Sequence, residues 1–304
     1  MKFKLSQIFF LNELVKKTGW YRRMVPDMDN YPTNKWYRKN LQRNYDVVNI
    51  GSSSARYAFD YRGLPLKAFN WAEQPQSLSN GYKVLRKYYG ILKKGGTVII
   101  SISPFSGFDV SGKWPKDADD KYFYILDPYS IEDYESVSRR RKWPLYFNFK
   151  ASLKALKDEL IGQTVTVPEC RDFRADAHRW MNLWLREFGM ESVKDPMNEA
   201  NSAGRVCRTR LLGEIVEFCR DRGLRPVIVL PPVHPELYSL LTPEFIDEHV
   251  ISFVRSAVGE ECEFFNYICD DLFREDEYYR NAFMLNERGA GLFTESLLKR
   301  LAIV

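Results

Sequence analysis

Apolar residues recur along the chain with two periods, and their alternation sets the expected order of elements. Val47-Val48-Asn49-Ile50 is a short apolar run that ends at Gly51 and reads as a strand over 46–50. Thr97-Val98-Ile99-Ile100-Ser101-Ile102-Ser103 and Pro226-Val227-Ile228-Val229-Leu230 are continuous and β-branched, as in strands covered on both faces. Between the first two runs, Leu78, Tyr82, Leu85, Tyr88, Tyr89 and Leu92 recur at three and four until Gly95-Gly96 stops the pattern. That spacing predicts a helix over 78–92. A strand shortened by Pro65 is expected over 64–71, and another over 262–267. Helices are expected over 202–222, 242–258 and 286–301, the second opened by Thr242 as N-cap and Pro243 in its first turn. Strand, helix and strand at these lengths require parallel crossovers. The expected fold is a flavodoxin-like three-layer α/β/α sandwich on a five-stranded parallel sheet.

Two stretches break this rhythm. Residues 107–200 are rich in aromatic and charged side chains, with helical periodicity only near 150–161 and 174–188. They read as an insertion at the sheet's carboxyl edge, within one α/β domain spanning 45–304. Residues 1–44 read as an N-terminal extension packing on the body, with Ile8, Leu11 and Val15 on one side of a short amphipathic helix. Its apolar run is broken by Ser6, Gln7, Asn12 and Glu13, so no integral membrane segment is expected and the expected location is cytoplasmic.

At 304 residues, 45% of them hydrophobic, the chain has ample material for a core. The net charge of +5 is mild and does not call for nucleic acid. Arg139-Arg140-Arg141-Lys142 is a local basic run, expected as a solvated loop. Five cysteines form no C-x-x-C pair, and three histidines do not provide a zinc ligand set of usual spacing. No motif calls for a cofactor or a metal.

The chemistry concentrates in Gly51-Ser52-Ser53-Ser54, directly after the first strand. In a parallel sheet that loop borders the ligand crevice, and small residues permit close backbone approach. A serine there is a nucleophile, an anion ligand, or simply the cap of the next helix. Glycine-loop nucleotide sites need further glycines or a lysine, which this loop lacks. Trp71, Tyr122, Tyr124, Trp143 and Trp180 are candidate walls of an acyl- or sugar-binding cleft. Asp270-Asp271 reads as a cation site or a helix cap.

The run Val47-Val48-Asn49-Ile50-Gly51-Ser52-Ser53, with Leu285-Asn286-Glu287-Arg288-Gly289-Ala290-Gly291-Leu292-Phe293-Thr294 near the end, resembles the SGNH, or GDSL-like, hydrolase family. The resemblance covers roughly 45–110 and 203–302 and implies an esterase, acyl hydrolase or acyl transferase on a small-molecule or glycan ester. It makes Ser53 the nucleophile and places Gly51, Ser52, Ser54, Asn70, Ser103, Asn281 and Met284 around it. The usual machinery is altered: Asn281 and Met284 stand where the family has an aspartate and a histidine. An amide cannot serve as the acid, nor a thioether as a base. No asparagine follows the strand over 97–103 to give an oxyanion donor. His234, directly after the strand over 226–230, is the candidate substitute base, oriented by Glu236, Asp270 or Asp271. The competing reading of His234 is a loop histidine held between prolines, and His178 and His249 read as surface or packing residues. The alternative for the whole chain is a catalytically silent protein of this fold that binds a glycan, a polyanion or a protein partner.

Overall fold

Five parallel strands carry the sheet: β1 (Tyr45–Ile50), β2 (Ala68–Asn70), β3 (Leu92–Ser101), β4 (Arg225–Leu230) and β5 (Glu263–Asn266). In this computed structural model, residues 5–24, 43–108, 119–162 and 170–304 are described. Parts of the expected N-terminal extension (25–42) and insertion (109–118 and 163–169) lie outside them. The strand order is β2-β1-β3-β4-β5 with every pair parallel. This is the flavodoxin-like order expected, and its switch point lies between β1 and β3.

Alternation along the strands separates two cores. Val47, Ile99, Val227 and Val229 face one cluster, closed by Phe59, Tyr267, Phe273, Phe293 and Leu297. Helices Ser53–Ala58 and Glu287–Arg300 pack together over that face. On the other face, helix Glu199–Arg220 packs against helices Leu78–Tyr88 and Ser252–Val258. Covering a sheet on both sides requires strands apolar at successive positions, which is why Val47-Val48 and Val98-Ile99-Ile100 are fully buried.

The departures from the expected elements are local. β2 is three residues long, because the Leu66 N–H turns back to the Leu64 carbonyl and the Lys67 N–H donates to the Asp46 carboxylate. β3 begins five residues early at Leu92, with a register shift on β1 and Gly95 at φ 74°, its N–H donating to the Gly223 carbonyl at 2.9 Å. The helix expected over 242–258 has its cap at Thr242, whose Oγ1 accepts from the Phe245 N–H, and widens to a π turn over Asp247–Ile251. A short antiparallel pair, β6 (Tyr279–Asn281) and β7 (Met284–Leu285), precedes the last helix.

The chain divides into two compact units, one of residues 1–41 and 115–168, the other of 42–114 and 169–304. The expected insertion over 107–200 is therefore split: its last helix, Phe173–Phe188, belongs to the sheet-bearing unit. In the smaller unit, helix Leu5–Lys17 packs against helices Pro144–Phe147 and Phe149–Leu160. Its buried Asn12 donates to the Lys142 carbonyl at 3.0 Å and accepts from the Leu145 N–H at 3.3 Å. The basic run 139–142 is not a solvated loop. It ends helix Tyr134–Lys142, where Arg140 forms a bidentate pair with buried Asp120 and buried Arg141 stacks on Tyr21 at 3.9 Å. No helix among the described residues is long and apolar enough to cross a membrane.

Candidate functional site

The loop after β1 opens onto a cleft of about 250 Å³ at the carboxyl ends of β1 and β3. Seven serines border it: Ser52, Ser53, Ser54, Ser77, Ser101, Ser103 and Ser106. Phe105, Phe108, Trp180, Trp184, Phe188 and Phe283 line it as well. The cleft lies at the topological switch point, where small ligands bind in open α/β sheets.

Gly51 makes this approach sterically feasible. It sits at φ 151°, and a Cβ there would stand 2.6 Å from the Ala55 Cβ and 2.9 Å from the Ser101 carbonyl oxygen. Its N–H donates to Gln76 Oε1 at 3.1 Å, while Gln76 returns its own N–H to Ser52 Oγ at 3.1 Å. Ser52 is thus tied to the loop after β2 and does not cap helix Ser53–Ala58 with its side chain. Three further amides of that loop also turn inward. Trp71 N–H donates to the Asn49 carbonyl, Ala72 N–H to Asn70 Oδ1 and Glu73 N–H to the Gly51 carbonyl. An oxyanion hole needs such donors aimed at the nucleophile, and these four amides are engaged elsewhere.

Of the residues expected around Ser53, the structure brings Gly51, Ser52, Ser54 and Ser103 to the cleft; Asn70, His234, Asn281 and Met284 do not line it. Asn70 serves as a structural tie. Its Oδ1 accepts from Asn49 Nδ2 at 2.8 Å, and its Nδ2 donates to the carbonyls of Ala55, Arg56 and Phe59. Asn281 holds the β6–β7 turn by accepting from the N–H groups of Phe283 and Met284, both at 2.9 Å. Met284 is buried in β7, which packs against the helix that Ser53 opens. An apolar thioether therefore occupies the place beside that helix.

His234, read from the sequence either as a substitute base for Ser53 or as a loop histidine between prolines, sits in its own set of contacts. Its Nδ1 accepts from the Glu236 N–H at 3.2 Å, which assigns the proton to Nε2, and Nε2 donates to Asp276 Oδ1 at 2.9 Å. The ring stacks on Phe173 at 4.1 Å and meets Tyr279 edge-on at 5.0 Å. Both nitrogens are engaged, and the residue caps helix Pro235–Tyr238. Glu236 contributes its backbone, while Asp270 caps the turn Asp271–Phe273 and pairs with Arg300. His178 is exposed, and His249 is buried against Phe108 and Phe245.

Among the expected cleft aromatics, Trp180 alone lines this site; Trp71 is core and the Tyr124 side chain lies outside the described residues. Tyr122 and Trp143 belong to the smaller unit. Sequence reasoning missed Ser101, Gln76, Glu187 and Arg208. Ser101 is 4% exposed, and its Oγ has no hydrogen-bond partner among the described residues. The Trp180 Nε1 is buried and likewise unpartnered there. Glu187 and Arg208 add opposite charges to the lining, from helices Phe173–Phe188 and Glu199–Arg220. The cleft lining contains no histidine. The signal for Ser101 was its place as the last residue of β3 on the edge facing Gly51, legible once the strand order is known.

Compared with known proteins, the chain matches no family model and no curated protein sequence.

Proposed function

We propose that the chain is an SGNH-type protein whose cleft binds a small hydroxylated ligand, such as a sugar or an O-acylated sugar, without hydrolysing it. The observation that carries this reading is the pair of buried, unpartnered polar atoms, Ser101 Oγ and Trp180 Nε1, that both belong to cleft-lining side chains. A buried polar group without a partner costs roughly 1–3 kcal/mol, a cost a ligand's hydroxyls and ring oxygen remove. The serine floor supplies donors and acceptors, and the aromatic wall supplies flat apolar faces for a sugar ring or acyl chain. Three features support silence towards esters. Met284 cannot take a proton, His234 does not line the cleft, and the Trp71, Ala72, Glu73 and Gln76 amides are spent on the fold.

The test pairs two measurements on the full chain. Saturation-transfer NMR with glucose, N-acetylglucosamine and their O-acetyl esters is expected to show contact with at least one, weakened in Trp180→Ala and retained in Ser53→Ala. Treatment with a fluorophosphonate, read by intact mass, is expected to leave the wild type unmodified. A second reading, hydrolysis, is favoured by one observation: Ser53 shares the cleft with the carboxylate of Glu187. An adduct that disappears in both Ser53→Ala and Glu187→Gln would establish that reading and overturn the silent one.

A further inference from the structure

The smaller unit turns an apolar stripe outward. Along helix Phe149–Leu160, Phe149, Leu153, Leu156 and Leu160 fall at i, i+4, i+7 and i+11, a single face of the helix. Phe149, Leu153 and Leu160 are 57%, 47% and 86% exposed. The fully buried positions of the same helix are Ser152 and Ala155, small residues that let it approach helices Leu5–Lys17 and Pro144–Phe147, and Leu156 is half-buried at the border of the stripe. An amphipathic helix ordinarily buries its large side chains and exposes its small ones; here the arrangement is reversed. Tyr146 and Phe147 from the preceding helix, and Phe10 from helix Leu5–Lys17, are exposed as well.

Charge identifies the occupant. Lys150, Lys154 and Lys157 form the stripe next to the apolar one, all exposed, with Lys154 also paired to Asp158 at 3.3 Å on the side away from the apolar stripe. Large apolar side chains flanked by a row of lysines are the pattern of a helix lying in the plane of a membrane surface. We infer that the Phe149–Leu160 face of the smaller unit docks on an anionic lipid surface. The apolar stripe enters the boundary between headgroups and acyl chains, and the lysine stems run along it to place their ammonium groups at the lipid phosphates. This inference shares no residue with the cleft and stands independently of the proposed ligand.

Flotation of the full chain with vesicles tests it. The protein is expected to float with phosphatidylcholine–phosphatidylglycerol vesicles and to remain behind with phosphatidylcholine alone. At roughly fivefold per lysine near the surface, the triple change of Lys150, Lys154 and Lys157 to glutamine lowers partitioning on the order of a hundredfold. High salt is expected to act in the same direction. Leu153→Ser with Leu160→Ser should abolish flotation while leaving the far-UV circular dichroism unchanged. Absence of flotation, or equal flotation with both vesicle types, overturns the inference. A dimer in sedimentation equilibrium that the serine variant returns to monomer also overturns it, in favour of a second copy on this face.

Discussion

Gly51 illustrates how one missing side chain sets a site. Its backbone passes so close to Ala55 and the Ser101 carbonyl that any Cβ displaces one of them. Gly51→Ala is expected to destabilise the chain by about 1–3 kcal/mol, read from the urea midpoint, because overpacking at a strand end forces the backbone to shift. His249 gives a pH signature. Burial pushes its imidazole below the usual histidine range, Glu248 opposes that shift, and Arg205, which donates to its Nδ1, adds to it. The folded chain then binds the proton less readily than the unfolded one, so stability falls as pH drops below about 6.5 and levels off under the folded value. In His249→Gln, the urea midpoint should decline less between about pH 7 and about pH 5 than in the wild type. An unchanged slope would remove His249 from the acid response. At this scale the sequence disclosed the place of Ser53 at the cleft's edge but not the partners of His234. The ring's partners, Phe173, Asp276 and Tyr279, lie far from it in the chain, and no local pattern announces them.

Elements were easier to read where burial is two-sided. Uninterrupted β-branched runs at 97–100 and 226–230 have no helical alternative at that length, and both are central strands. Helix Tyr134–Lys142 escaped notice because four consecutive basic residues hide its period, and only the positions of Val137, Ser138 and Arg141 reveal an inner face. The last helix rests on its cap and on one close crossing. Asn286 Oδ1 accepts from the Gly289 N–H at 3.0 Å, and its Nδ2 donates to the Glu277 carbonyl at 2.7 Å. Asn286→Ala should lower stability by about 1–2 kcal/mol in chemical denaturation. Gly289 lies against the Tyr278 carbonyl, where an added Cβ would collide with backbone. Gly289→Ala is expected to be the more damaging of the two, and equal losses would refute the close-crossing account.

For the whole molecule, burial sorts the thiols. Cys207 and Cys269 are exposed, while Cys219 and Cys262 are buried, with burial pushing the Cys219 thiol up to about 12. A thiol-reactive dye should modify Cys207 and Cys269 rapidly in the native chain and reach Cys219 and Cys262 only in denaturant. Rapid labelling of Cys219 would contradict the packing between the sheet and helix Glu199–Arg220. The sheet architecture could be read from the sequence because each strand declares itself locally. The cleft could be read only in part, because Glu187 and Arg208 reach it from helices whose periodicity speaks of packing alone. The divided smaller unit has a consequence for synthesis. Asn12 and the Lys142 carbonyl it bonds are 130 residues apart. At translation rates of roughly 5–20 residues per second, the first helix therefore leaves the ribosome on the order of ten seconds before its partners. During that interval Phe9 lacks Trp143, the ring it later meets edge-on at 4.8 Å, and the Asn12 amide is served by water alone.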